Sequence, residues 1–204
     1  MVPIETLRRE HRLIVAVLDA AEYEAEQIAR RGSFDTAVVG GFMDFFRVFV
    51  HSLHGAKEEY HLFVFLERRM TASNQLSLVP LLRSYDECRR QLQAIANLLL
   101  PSIQGDYWTA LSLGEHVSGY CQRMRAQIDR EEAEVFPLAE SLLKPADEEA
   151  LMRDFRALSR KVGVDIIHRQ RCIARELSRS IHSDAAQWTG SSGGLEGAVE
   201  IHFG

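Results

Sequence analysis

The chain has 204 residues, 46% of them hydrophobic and 26% charged, with a net charge of −5. That suffices for one domain with a sizeable core, and an acidic balance with both signs mixed in short runs speaks against a nucleic-acid binder that works by phosphate neutralisation. No run of about 18 apolar residues suggests a membrane span, no basic-then-apolar leader opens the chain, and the odd, widely spaced Cys88, Cys121 and Cys172 fit free thiols in a cytoplasmic protein rather than a disulfide framework.

The pattern reads as helix nearly throughout. Ile4, Leu7, His11, Ile14, Leu18, Ala21 and Ile28 recur at helical spacing, with Pro3 in the first turn and Gly32 as the stop. Ser33 or Asp35 can cap a second helix over about 34–70, with soft spots at Gly40-Gly41 and Gly55. A polar turn at 71–75 precedes a third helix over about 76–100, which carries Leu78, Leu81, Tyr85, Cys88, Leu92, Ile95 and Leu99 in one stripe and Pro80 in its first turn. A break at Pro101–Gly105 leads to a fourth helix over about 106–143, with a kink expected at Pro137. After Lys144-Pro145-Ala146, one or two further helices are expected over about 147–183, bent near Gly163. The Gly- and Ser-rich segment 189–204 is expected to be disordered. The expected fold class is all-α: an up-down four-helix bundle with extra C-terminal helices, one domain over 1–188 with its core bundle at 4–143.

The two halves of the bundle repeat. His-Gly-Ala-Lys-Glu-Glu-Tyr-His-Leu-Phe at 54–63 aligns with Gln-Ile-Asp-Arg-Glu-Glu-Ala-Glu-Val-Phe at 127–136, at an offset of 73. The first and third helices align at an offset of 74, so that Arg9-Glu10-His11-Arg12 meets Arg83-Ser84-Tyr85-Asp86. Two pseudo-symmetric helical hairpins follow, in which His11 pairs with Tyr85, His54 with Gln127 and Glu58 with Glu131.

At 100° per residue, Glu58 lies about 40° and His61 about −20° from His54 on one helix face. Gln127, Glu131 and Glu134 form the same triplet on the fourth helix, and His11 and Tyr85 stand in apolar stripes. Buried carboxylates are costly unless paired with cations or metals, and imidazole plus carboxylate from facing helices is a usual recipe for non-haem iron or manganese in bundles. His51 lies about 60° off the stripe, and His116 is about 16.5 Å from Gln127 along the axis, so neither is expected at the same centre.

On these residues the chain resembles the hemerythrin-like (HHE) family over about 4–143: Arg-Glu-His11, then His54-Gly-Ala-Lys-Glu58-Glu59-Tyr-His-Leu-Phe63, then Tyr85-Asp-Glu-Cys-Arg89, then Gln127-Ile-Asp-Arg-Glu131-Glu132-Ala-Glu-Val-Phe136-Pro137. The resemblance implies a metal centre of one or two ions, iron first, with manganese or zinc as alternatives. One metal position keeps His11 and His54 with the shared Glu58 and Glu131; the other has Tyr85 and Gln127 where the family has histidines. Three arrangements stay open: a mononuclear site, an unequal dimetal centre with Tyr85 as an oxygen ligand, or recruitment of His61 and Glu134. The implied activity is redox chemistry or sensing of dioxygen, peroxide or nitric oxide; the histidine-poor half argues against simple reversible oxygen carriage. A non-enzymatic bundle that stores or senses metal or binds a partner is the alternative, and a homodimer through the C-terminal helices is considered beside it. No nucleic-acid or membrane partner is expected.

Overall fold

A computed structural model describes residues 2–71 and 76–191. Six helices account for it, and no strand occurs among the described residues. Helix α1 is Pro3–Arg31, α2 is Thr36–Arg69, and α3 is Val79–Ile103. Helix α4 runs without interruption through Tyr107–Arg130, Glu131–Val135 and Phe136–Leu142; α5 is Pro145–Val162 and α6 is Val164–Ser191. Helices α1 to α4 form the bundle, with α1 against α4 and α3 against α4 as its main contacts, and α6 lies across α1 and α2.

The helix ends follow the local chemistry. Gly32, at φ 65°, closes α1 in the left-handed conformation that glycine takes at little cost, and its N–H reaches the Ile28 carbonyl at 2.8 Å. Asp35 caps α2 by accepting from the Ala37 and Val38 amides at 2.7 and 3.3 Å, and Asp106 does the same for α4. Two boundaries differ from expectation. Helix α3 does not break at Pro101 but carries it within its last turn and ends at Ile103, where a proline's missing N–H leaves only a single helical carbonyl unserved. The C-terminal region divides at Gly163 (φ 105°), as its composition suggested, but α6 continues to Ser191, past the expected start of the tail. The rest of the tail, like residues 72–75 of the expected turn, lies outside the described residues.

Neither glycine soft spot ends α2. The helix widens into π-helical geometry over Phe46–His54 and again over Glu58–Leu62, and α4 widens over Glu131–Val135, directly ahead of Pro137. The last two segments are repeat mates at an offset of 73. In each, the carbonyl of the glutamate accepts from the phenylalanine five residues on, Phe63 for Glu58 and Phe136 for Glu131. A π turn inserted in an α-helix is a recurrent device at functional sites, because it shifts the facing of the residues that follow.

The apolar interior falls into two clusters. The larger contains Ile14, Leu53, Cys88 and Ile128; the smaller contains Leu7, Leu62, Tyr85 and Val135. Each helix of the bundle contributes to both, so a layer lies between them, and His11, His54, Glu58 and Glu131 occupy it. Helix α2 is, among the described residues, the one helix long and apolar enough by length and composition to cross a membrane. Its Phe42, Phe45, Phe46, Phe49, Val50 and Leu53 are buried in the larger cluster, and its His54, Lys57 and Glu58 in the polar layer. Helix α5 adds Leu151, Met152 and Phe155 to the smaller cluster, and α6 adds Ile167, Ala174 and Leu177 to the larger. These positions of the C-terminal helices are buried on the bundle, while Val164 and Ile166 stay exposed.

Candidate metal centre

Four ligand-type side chains converge in the middle layer. His11 from α1, His54 and Glu58 from α2 and Glu131 from α4 are all buried, and one ligand atom from each lies within 4.8 Å of the others. His11 Nε2 stands 3.3 Å from Glu131 and 3.6 Å from Glu58, while His54 Nε2 stands 3.4 Å from Glu58. The imidazole rings meet edge to face at 4.8 Å, and Phe136 stacks on His11 at 5.1 Å.

Two further polar groups of the layer, Tyr85 and Gln127, come from the other half of the repeat. The Tyr85 hydroxyl donates to Glu58, and the Gln127 amide donates to Glu131 at 2.9 Å. Gly55 makes the first contact possible, since a Cβ there would lie 2.9 Å from the Tyr85 ring and 3.2 Å from the Val50 carbonyl. His61 and Glu134 do not reach the cluster. His61 lies against Asp154 at 3.5 Å and Phe155, and Glu134 is exposed and paired with Arg130 at 3.1 Å. Both residues follow a glutamate inside a π turn. A wider turn needs more residues to come full circle, so three residues no longer return a side chain to the glutamate's face.

The electrostatics of the two carboxylates differ. Burial raises both. For Glu58 the two imidazoles and the Tyr85 hydroxyl outweigh it, and its carboxyl stays below the usual range. Glu131 feels burial and the charge of Glu58, against which His11 is its main relief, and it rises to about 7. His11, although burial opposes its charge, is drawn up to about 11 by Glu131 and Glu58.

The profile of the hemerythrin HHE cation-binding domain matches residues 2–139. The chain belongs to the hemerythrin HHE family. Neither a curated protein nor a solved structure matches it. The residues of this hemerythrin-like centre fit a cation. His11 Nε2 and Glu58 Oε1 are buried, make no hydrogen bond and face each other at 3.6 Å. Both point among other ligand-type atoms, where a cation would satisfy them together. Gln127 Oε1 is buried and unpartnered as well.

Behind the two histidines stand groups that the helical pattern did not single out. His54 Nδ1 meets Glu10 at 3.1 Å, and Glu10 in turn pairs with the buried Lys57. His11 Nδ1 meets Glu132 at 2.8 Å, and Glu132 pairs with Arg8 at 3.2 Å. Such carboxylates fix the tautomer and ring orientation of a metal-binding imidazole and raise its basicity. Glu10 and Lys57 adjoin His11 and Glu58 in sequence and so read as flanking charges; the one available signal was a charged residue beside a site residue on each helix. Phe155 and Met152 of α5, beyond the span that matches the hemerythrin profile, join the cover of this end, with Lys57 Nζ 5.7 Å above the Phe155 ring.

Proposed function

We propose that this hemerythrin-like bundle holds iron at an asymmetric non-haem centre and uses it in redox chemistry or in sensing dioxygen, peroxide or nitric oxide. The carrying observation is the buried set His11, His54, Glu58 and Glu131, with two of its ligand atoms lacking any hydrogen bond. Two imidazoles and two carboxylates suit iron, with manganese next. A metal held there supplies electrons and coordination positions beyond the four protein ligands. The side chains do the rest: Glu10 and Glu132 hold the imidazoles in register, the two apolar clusters exclude water, and Tyr85 presents a buried hydroxyl at the opposite side. Burial, Glu131 and Glu58 push that phenol well above its ordinary value, so it serves as a hydrogen-bond donor to Glu58.

The Tyr85–Gln127 side offers one phenol and one amide in place of two imidazoles, both poorer ligands for divalent metals. The reading is therefore one tightly held metal per chain. Elemental analysis of protein purified without a metal-binding tag tests it. One iron per chain, lost in His54→Ala, and a change in the optical or electron-spin spectrum of the reduced protein on adding dioxygen, peroxide or nitric oxide are expected. Metal without any such change would move the protein to metal storage, and no metal after reconstitution would end the reading.

A further inference from the structure

A groove of about 1120 Å³ opens between α2, α3 and α5. Its walls are largely apolar, with Met43, Leu92, Ala96, Leu99, Leu158 and Val162 among them. The charged residues in its lining are three cations, Arg47, Arg89 and Lys161, against one acid, Asp44. Asp44 is already committed, to Arg47 at 2.9 Å and to Gln170 at 2.8 Å, and Arg89 to Glu59 and Asp86. Lys161 is exposed and has no ion pair among the described residues.

The same groove is lined by His51, and the state of its ring follows from a hydrogen-bond argument. The fully buried Tyr120 hydroxyl has His51 Nε2 as its partner, at 3.1 Å. A buried hydroxyl proton is costly to strand, so Tyr120 donates and Nε2 accepts. The ring proton then sits on Nδ1, which is buried and without a partner. Burial, with Arg89 and His54 nearby, holds the imidazole neutral, its pKa lowered to about 4. The groove therefore offers the Lys161 ammonium beside an apolar channel, with the neutral His51 ring in its wall. From His51 to Gly40 the groove follows about three turns of α2. The volume slightly exceeds the roughly 300–1,000 Å³ of small-molecule sites, and the largely apolar lining resembles theirs.

We propose that this groove binds an amphiphilic carboxylate of the fatty-acid type, its head group taken by Lys161 and its chain lying toward Met43 and Leu99. The inference is independent of the metal reading. The test is calorimetric titration of the full chain with dodecanoate, with dodecyltrimethylammonium as the charge-reversed control. One dodecanoate per chain is expected, with little heat from the cation. Lys161→Glu is expected to weaken dodecanoate binding about tenfold or more, the equivalent of one charge-assisted hydrogen bond. Ala96→Trp fills the channel and abolishes binding. Both positions are exposed, so melting temperature and metal content stay at wild-type values and separate a lost site from a lost fold. Absence of dodecanoate binding, equal binding of the cationic amphiphile, or wild-type affinity in both variants overturns the proposal. So does co-sedimentation with phosphatidylglycerol vesicles in the absence of dodecanoate binding, which would assign the groove to a membrane surface instead.

Discussion

The two halves of the repeat share a fold and differ in how far the polar network extends behind each ligand position. On the histidine side every imidazole has a carboxylate behind it and a cation behind that: His54–Glu10–Lys57 and His11–Glu132–Arg8. On the other side the chain of support is cut at matching places. Ser84 stands where the offset of 74 would repeat Glu10, and Arg130 stands where the offset of 73 would repeat Lys57 but pairs with Glu134 at the surface. Glu59, the mate of Glu132, is held by Arg89, whose guanidinium lies 5.6 Å over the Tyr85 ring. The substitutions at Tyr85 and Gln127 are thus not isolated changes: the residues that would orient and polarise imidazoles there are gone or otherwise engaged. The difference teaches that one half carries the residues suited to hold a cation, and the other holds Glu58 and Glu131 by neutral hydrogen bonds.

The strongest way to break this asymmetry is to restore the missing imidazoles. The double variant Tyr85→His, Gln127→His is expected to raise metal content from one to two per chain by elemental analysis; an unchanged single metal would show that the lost supporting carboxylates, more than the ligands, set the stoichiometry. Lys57 is the next lever. It is a buried cation whose removal strands the buried Glu10 carboxylate, so Lys57→Met is expected to cost about 3–5 kcal/mol in urea unfolding of the metal-free protein. Its repeat mate Arg130 is paired at the surface, and Arg130→Met should cost no more than about 1 kcal/mol. Then come the carboxylates: Glu10→Gln and Glu132→Gln are each expected to weaken metal binding about 10–100-fold in chelator competition. Glu59→Gln, which touches no imidazole, should weaken it less than about tenfold.

Much of this was legible in the sequence because it is periodic. The stripe from Leu78 to Ile95 and the repeat at 73–74 residues fixed four helices, their pairing and the convergence of His11, His54, Glu58 and Glu131. What regular α-helix geometry hides is any departure from it. A constant 100° per residue places His61 and Glu134 on the glutamates' face, whereas the π turns beginning at Glu58 and Glu131 turn them aside. Those turns leave no residue-level signature other than Pro137, whose absent N–H falls just after one of them. Glu10 and Lys57 were hidden for another reason: each lies 100° from a site residue, on what a helical wheel shows as the edge of the polar face, and only the packing of α5 reveals that edge as buried.

The smallest expected effect concerns protons, and it separates the two glutamates. A metal needs neutral imidazole and ionised carboxylate. Without metal, His11 is held protonated up to about 11, so at neutral pH its proton must leave on binding. Glu131 titrates at about 7, so above that value it is already ionised and below it a second proton must leave; Glu58, held low by its imidazoles, contributes none. Metal affinity therefore falls as pH falls, by about one decade per pH unit near pH 8 and by a slope steepening toward about two near pH 6. Calorimetry in buffers of different ionisation heat counts the released protons directly. The steepening belongs to the half that lacks imidazoles, since Gln127 gives Glu131 only a neutral amide against burial and the charge of Glu58. Gln127→His supplies the missing positive partner, lowers the Glu131 value, and should flatten the slope near pH 6 toward one. If the slope stays steep in that variant, burial and the charge of Glu58 set the high value of Glu131, and the unequal halves do not.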